Sequence, residues 1–226
     1  MLDSKKYIKN ITAFVLAFVL LILALFIFFA FTGNKEKDNY YKPTVDKNTE
    51  NSQYDGQTYI NQKYNFQITF PKNWNLFTGN NPHILQKAES GENSVFVSIY
   101  EFDKNLFKKF DNLDSLTIKD FFTADEYKLL ATEGLKQVNS SLQGVGVTNH
   151  KFLEYFDTEI NGVPAYGSKS SYFQIKEGVE KEYINISYDL MLGSIKYSIA
   201  GIALAKDFVS VENDILNSIR SFKFIK

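Results

Sequence analysis

Cysteine is absent from the 226 residues of this chain, and its absence excludes several kinds of chemistry. Without a thiol the protein has no disulfide bond, no thiolate nucleophile and no cysteine-ligated zinc. The same absence excludes a lipoprotein whose lipid is attached to a cysteine. The foldable region has about 170 residues, and a domain of that size buries roughly 70% of its surface without cross-links.

The chain also lacks an excess of positive or negative charge. The chain has 25 basic and 26 acidic residues, which gives a net charge of −1. It contains no basic stripe, so the sequence predicts no nucleic-acid partner. Arg220 is the only arginine, while lysine, asparagine, isoleucine and phenylalanine are abundant. This composition is typical of an AT-rich genome and favours a low-GC Gram-positive bacterium as the source.

Catalytic and ligand-binding motifs are missing as well. His83 and His150 are the only histidines, and neither lies in a metal-ligand motif, so we interpret both as surface or turn residues. Gly144-x-Gly146 lacks the third glycine and the following helix of a nucleotide-binding loop. The sequence contains no P-loop and no G-x-S-x-G elbow. It therefore predicts no catalytic residue, no cofactor-binding residue and no metal ligand.

One long apolar run is present near the start of the chain. Residues 11–32 contain no charge, no glycine and no proline. As a helix they would extend roughly 33 Å, against a hydrocarbon core of about 30 Å. They are apolar on all sides, which favours a lipid environment. We therefore predict a single transmembrane helix at residues 11–32 that contacts the lipid bilayer.

The charges before this run predict its orientation. Lys5, Lys6 and Lys9 lie within residues 1–10 and favour a cytoplasmic stub, with the following domain outside the membrane. The alternative is a cleaved signal peptide, whose apolar region has about 7 to 15 residues and ends at a small-residue cleavage site. The run in this chain is longer, and residues 30–32 (AFT) match such a site poorly, so we favour an uncleaved signal anchor.

A change in composition separates the anchor from a folded domain. Residues 33–56 are rich in lysine, glutamate, aspartate, asparagine and threonine. Such a segment cannot bury enough apolar surface to offset its ordering entropy, so we predict a disordered tether. Residues 57–226 contain the remaining helix and strand patterns. We expect them to form an extracytoplasmic domain.

Period-two alternation predicts the strands of that domain. Residues 66–70 alternate apolar and polar side chains, whereas residues 94–102 are apolar on both faces, as in a strand with helices on two sides of its sheet. Residues 148–204 predict four strands, and we interpret the odd-numbered residues from 183 to 191, including Asp189, as mostly facing solvent. The turns between these strands are predicted at residues 161–162, 177–178 (a somewhat longer reversal) and 193–194.

Capping and periodicity predict the helices. Thr117 with Asp120, and Thr123 with Glu126, fit the capping-box pattern, so we expect a short turn and then a longer helix from about Thr123. Residues 207–222 predict a closing amphipathic helix with Asp207 as its N-cap. Its apolar stripe consists of Phe208, Val211, Ile215, Ile219 and Phe222.

Three segments together resemble a known fold. They are Tyr64-x-Phe66-x-Ile68-x-Phe70-Pro71-x-x-Trp74, Asn161-Gly162-x-Pro164-Ala165 and Ile215-x-x-Ser218-Ile219-x-Ser221-Phe222-x-Phe224. The region from about Tyr59 to Phe224 resembles the PsbP-like fold of photosystem II auxiliary proteins, a nuclear import factor family and many bacterial lipoproteins and membrane-anchored domains. The resemblance implies an α+β domain whose central antiparallel sheet has helices on both faces, an α/β/α sandwich. Members are largely adaptors and assembly factors, so it implies no active site.

We therefore expect a membrane-anchored extracytoplasmic binding or assembly module without catalytic activity, with a protein partner at the cell surface. One alternative is a cell-envelope hydrolase that uses paired carboxylates, with Glu101, Glu154 or Asp189 as candidates. Glycoside hydrolysis needs two such acids about 5 to 10 Å apart in a cleft. A structural subunit of a membrane complex is the other alternative.

Overall fold

The computed structural model describes residues 52–79, 83–142 and 147–225. The predicted stub, the predicted transmembrane helix, most of the predicted tether and the Gly144-x-Gly146 segment lie outside these ranges. Within them, no helix is both long and apolar enough to cross a membrane.

Two antiparallel sheets contain the eleven strands of the described ranges. The smaller sheet has the order β1-β2-β3-β11, and the larger sheet has the order β4-β5-β6-β10-β9-β8-β7. The strands are β1 (Ser52–Asp55), β2 (Thr58–Asn61), β3 (Phe66–Thr69), β4 (Asn75–Thr78), β5 (Ile84–Ser90), β6 (Asn93–Glu101), β7 (Val147–Ile160), β8 (Val163–Lys176), β9 (Val179–Leu192), β10 (Ile195–Leu204) and β11 (Lys223–Phe224). The predicted antiparallel sheet is therefore confirmed, and β6 lies inside it as its apolar pattern indicated.

Strand β1 lies within the last residues of the predicted tether, so the prediction of disorder is wrong for those residues. Tyr54 provides the physical reason. Its ring packs against Tyr59 with a centroid distance of 5.5 Å, and its hydroxyl donates a hydrogen bond of 2.6 Å to Gln86 Oε1. These contacts give β1 a half-buried aromatic anchor despite its polar neighbours.

Strands β7 to β10 form the predicted four-stranded meander. Asn161 and Gly162 adopt φ angles of 49° and 80°, the left-handed pair that a two-residue type I′ turn requires. Glu177 and Gly178 adopt 54° and 78°. The predicted longer reversal at this second turn is therefore wrong, because Lys176 pairs directly with Val179 across another two-residue turn.

Three α-helices lie within the described ranges: α1 (Ile118–Phe121), α2 (Ala124–Leu142) and α3 (Ala205–Ser221). The two predicted capping boxes precede α1 and α2. The Thr117 amide donates to Asp120 Oδ2 at 2.7 Å, and the Thr123 amide donates to Glu126 Oε2 at 2.8 Å. The short turn followed by a longer helix is thus confirmed.

Helix α3 presents the predicted apolar stripe to the sheet. Phe208, Ile215 and Ile219 are buried along it. The prediction of Asp207 as its N-cap is wrong, because the helix begins two residues earlier and Leu204 occupies the cap position. Asp207 instead lies in the first turn, where its charge interacts favourably with the helix dipole.

The main cluster of the core consists of apolar side chains from both sheets and α3. Leu190, Ile199 and Ile215 are each fully buried within it. Gly201 permits the close approach of α3, since a Cβ atom at this position would lie 2.2 Å from Ile215 Cγ2. The main cluster also joins the two sheets through Phe66 of β3, whose ring lies 6.0 Å from the Tyr197 ring of β10 in a T-shaped arrangement.

A second cluster contains apolar side chains from α1, α2, β8 and β9. Its buried members include Ile118, Tyr127, Tyr166 and Met191. Because Leu190 and Met191 are consecutive in β9, they point to opposite faces of the sheet. The interpretation of odd-numbered β9 residues as mostly solvent-facing is wrong for Asp189, Met191 and Tyr183, which are 6%, 0% and 1% exposed.

Candidate functional site

The three candidate carboxylates of the hydrolase hypothesis lie on three different strands. Glu101 ends β6, Glu154 is in β7 and Asp189 is in β9. Three strands separate β6 from β7 in the sheet, which places Glu101 and Glu154 roughly 19 Å apart across it. Asp189 shares a face with Met191 of the second cluster, whereas Glu101 shares a face with its register neighbour Ile195, which packs on the main cluster.

Glu101 is held in a surface interaction. Its carboxylate accepts hydrogen bonds from the Tyr64 hydroxyl at 2.5 Å and from Lys63 Nζ at 3.0 Å. The Tyr64 hydroxyl and then the lysine lower the pKa of Glu101 below its usual value. The acid is therefore ionised at neutral pH, which is the wrong protonation state for the general acid of a glycosidase.

The buried network consists of Tyr127, Asp189 and Lys196, and it is the most unusual chemistry of the described residues. Helix α2 provides Tyr127, and the neighbouring strands β9 and β10 provide the ion pair. Lys196 Nζ lies 2.9 Å from Asp189 Oδ2, and the Tyr127 hydroxyl donates a short hydrogen bond to the same oxygen. Asp189 and Lys196 are only 6% and 2% exposed.

The electrostatics of this network favour a structural role over proton transfer. Burial, and then the charge of Asp189, raise the pKa of Tyr127 well above its ordinary value. Tyr127 therefore stays protonated and acts as a hydrogen-bond donor at physiological pH. The positive and negative charges of Lys196 and Asp189 balance within the protein interior. The arrangement fixes α2 to the sheet, because Tyr127 is the residue through which the helix reaches the pair.

The histidines lie far apart in the sequence and in the sheet. His83 precedes β5, where its ring stacks on Tyr100 with a centroid distance of 4.6 Å. The interpretation of His150 as a surface or turn residue is wrong, because it lies buried in β7 with Nε2 3.2 Å from Ser170 Oγ. Burial lowers the pKa of His150 to about 4. Among the described residues, no group of three or more potential ligands could hold a metal ion.

Comparison with known proteins supports the fold and does not identify an activity. No protein-family model matches the chain, and no curated protein sequence matches it. The solution structure of PsbP (CyanoP) from the cyanobacterium Synechocystis sp. PCC 6803 is similar to it, with 13% identity and a TM-score of 0.52, over 84% of this chain and 98% of that chain. The domain has a PsbP-like fold. LpqN, involved in cell envelope biogenesis of Mycobacterium tuberculosis, is also similar, with 7% identity and a TM-score of 0.41, over 71% of this chain and 83% of that chain.

Sequence reasoning missed Lys196 and Tyr127 in this PsbP-like domain. A signal for Lys196 was available, because it is the one charged residue within the apolar run 195–204. A lysine inside a strand that is apolar on both faces requires a buried partner. The sequence contained no comparable signal for Tyr127, since an aromatic residue on an amphipathic helix is most simply read as apolar core.

A second polar cluster ties the end of the β8–β9 hairpin to the β5–β6 turn of the PsbP-like domain. Glu92 lies 2.5 Å from Lys181 Nζ and 3.7 Å from Lys176 Nζ. The Tyr183 hydroxyl donates to the same carboxylate. Lys181 and then Tyr183 lower the pKa of Glu92. The Glu92 carboxylate thus links the β5–β6 turn to the end of the β8–β9 hairpin.

Proposed function

We propose that this protein is a membrane-anchored extracytoplasmic module that binds or helps to assemble a protein partner and has no catalytic activity of its own. The observation that supports this proposal is the placement of the candidate acids. Glu101 and Glu154 lie far apart across the sheet, and Asp189 lies on the opposite face from Glu101 in an ion pair with Lys196. This arrangement differs from the facing pair of acids that a glycosidase needs.

The proposed architecture places the PsbP-like domain outside the membrane of a Gram-positive cell. Residues 1–10 form the cytoplasmic stub, residues 11–32 the transmembrane helix, and residues 33–51 a flexible tether with a root-mean-square span of about 24 Å. The domain is an α/β/α sandwich, with α1 and α2 on one face of the large sheet and α3 on the other. The membership of these helices in two separate buried clusters supports that arrangement.

Topology is tested with protease added to intact spheroplasts that express the full chain. We expect the domain to be digested from outside, while an epitope on residues 1–10 is protected and stays with the membrane. Protection of the domain until lysis would reverse the proposed orientation. Loss of the N-terminal epitope from the mature protein would instead support a cleaved signal peptide.

The partner is tested by crosslinking the full chain in its native membrane and purifying the products. A chain with only residues 1–51 is the matched control, because it keeps the proposed anchor and tether and lacks the domain. We expect a crosslinked protein that depends on the domain. Identical products from both chains would contradict a binding role for the domain. A fixed stoichiometry that survives purification without crosslinker would favour a structural subunit of a membrane complex.

The hydrolase alternative is tested with the purified full chain and peptidoglycan. The proposal predicts no turnover above the buffer control. Turnover that disappears in Glu101→Gln or Glu154→Gln, while the variant keeps the thermal stability of the parent protein, would contradict the proposal. These two acids are suitable for the test because both are exposed.

A further inference from the structure

Four buried residues with polar side-chain atoms lie close together on the face of the large sheet that carries Asp189. Ser98 of β6 is opposite Ser198 of β10, and Ser198 is opposite Asp189 of β9. This row spans two strand spacings, or roughly 10 Å. Tyr100 lies two residues beyond Ser98 in β6, so its side chain is on the same face.

Three of these four residues each have a polar atom that makes no hydrogen bond of standard geometry within the protein. The atoms are Ser98 Oγ, Tyr100 Oη and Asp189 Oδ1. The residues are 0%, 1% and 6% exposed, so bulk solvent does not reach them. Buried polar atoms nearly always have a partner in folded proteins, because an unsatisfied atom carries its full desolvation cost. Three such atoms in one neighbourhood therefore point to a shared ligand.

The groups around Ser98, Tyr100 and Asp189 indicate that the three polar atoms are close enough to share one ligand. Burial and then the nearby Asp189 carboxylate raise the pKa of Tyr100, and the hydrogen-bonding interaction of its hydroxyl with the Ser98 side chain, the smallest of the three effects, opposes that rise. Lys196 Nζ lies 5.8 Å from the centre of the Tyr100 ring, so the ion pair and the tyrosine border the same region. The His83 ring stacks on Tyr100 at 4.6 Å and holds it in place.

The chemistry of the groups determines the class of ligand. Lys196 already balances the charge of Asp189, so the site as a whole attracts neither an anion nor a cation. Asp189 Oδ1 only accepts hydrogen bonds, whereas the hydroxyls of Ser98 and Tyr100 can donate or accept. We infer that these three residues bind a neutral hydroxyl-bearing molecule, supplied either by internal water or by a small polyol. A buried water typically makes about three hydrogen bonds, which matches the three available atoms.

The sign of a stability change tests this inference in the full chain in detergent. If the three atoms share a ligand, Tyr100→Phe removes one of its hydrogen bonds, and we expect the Tm to fall by about 2–5 °C. Ser98→Ala should act in the same direction. If no ligand is bound, each substitution removes an unsatisfied buried hydroxyl, and the Tm should stay the same or rise. An unchanged or raised Tm in both variants would overturn the inference.

The double variant Ser98→Ala/Tyr100→Phe tests whether the ligand is shared. Residues that contact one molecule should give a Tm decrease smaller than the sum of the two single decreases, whereas strictly additive decreases would overturn a common site. Tyr166→Phe calibrates the scale, because the Tyr166 hydroxyl donates directly to the Phe122 carbonyl at 2.9 Å and needs no ligand.

Glycerol distinguishes the two sources of the hydroxyl group. Polyols raise the Tm of any protein gradually through exclusion from its surface. Water as the ligand predicts the same gradual increase in the parent protein and in Tyr100→Phe. A bound polyol predicts an additional saturable increase in the parent protein that is absent from the variant. Both results support the site, and they identify its occupant.

Discussion

The main cluster and the second cluster stabilise the domain by different means. The main cluster is built from apolar side chains of α3 and both sheets, including Ile199, Ile215 and Phe222. The second cluster lies beside a buried ion pair, and Tyr127 belongs both to this cluster and to the polar network with Asp189 and Lys196. One side of the sheet is therefore held mainly by burial of apolar area, and the other also by specific hydrogen bonds.

This difference between the two clusters indicates where the domain tolerates amino-acid substitutions. Apolar contacts are non-directional, so a core built from them accepts substitutions that conserve volume and polarity. A buried ion pair requires both partners and a defined geometry, because removal of one partner leaves an uncompensated charge. We therefore expect conservative substitutions to be milder in the main cluster than in the polar network.

The largest expected effect is that of Ile215→Asp in the main cluster. Ile215 is fully buried, with 0% of its surface exposed, and it packs against Gly201. A buried unpaired carboxylate costs several kcal/mol, against a typical domain stability of about 5 to 15 kcal/mol. We expect loss of the cooperative thermal transition of the domain, measured by circular dichroism.

Val209→Asp is the matched control for this substitution. Val209 lies in the same helix α3 and is 84% exposed. An exposed substitution of this kind changes stability by about 0.5 kcal/mol or less. A folded Ile215→Asp variant that has lost only a partner would contradict the assignment of this stripe to the core.

The next effect concerns the polar network and is tested by Lys196→Met. This change leaves Asp189 buried without its cation, and we expect a loss of about 3–5 kcal/mol in the free energy of unfolding, measured with denaturant. The double variant Lys196→Met/Asp189→Leu removes both charges and should recover part of that loss. Recovery is incomplete because the hydrogen bond from Tyr127 to Asp189 is lost with the pair. A double variant less stable than Lys196→Met would show that this pair stabilises the domain beyond charge compensation.

A smaller, pH-dependent effect is expected from His150, which lies on the Asp189 side of the sheet. Its folded-state pKa of about 4 is below the unfolded value of 6.5, so the unfolded chain binds the proton first as the pH falls. The stabilising contribution of the neutral His150 side chain to the free energy of unfolding is complete above pH 6.5. It is lost progressively down to pH 4, by about 3 kcal/mol in total. Unfolding free energies measured from pH 7 to pH 5 should show the start of this decline.

His150→Gln tests whether His150 causes this decline, because the substitution should remove most of the loss of stability between pH 6.5 and pH 5. His83→Gln is the control for the loss of a histidine. Glu92 and Glu101 do not interfere in this window, since their lowered pKa values place their titration below the usual range of a glutamate. An equal slope in the parent protein and in His150→Gln would contradict the prediction.

The smallest effect is expected from the exposed counterpart of the buried ion pair. Lys63 and Glu101 lie 3.0 Å apart, with both side chains 55% exposed. Solvent screens such a pair, so Lys63→Ala should change the free energy of unfolding only slightly, and still less in 1 M salt. A loss as large as that of Lys196→Met would mean that burial does not explain the difference between the two pairs.

Most of the fold was predictable from local patterns. The capping boxes at Thr117 and Thr123, the turn at Asn161 and the stripe of α3 all depend on residues within a few positions of one another. Each pattern restricts backbone geometry directly, through a side-chain hydrogen bond or a left-handed residue. The burial of Asp189 was not predictable in this way, because alternation along β9 indicates two faces without indicating what covers them.

The sequence by itself determined the antiparallel meander, the starts of α1 and α2 and the apolar face of α3, since short-range chemistry fixes these features. Only the tertiary structure decided which polar residues are buried and which partners they have. Tyr127 and Asp189 are 62 residues apart, and Tyr183 and Glu92 are 91 apart. The physical reason is that a buried charge is stable only beside its partner, and the packing of whole elements brings such distant partners together.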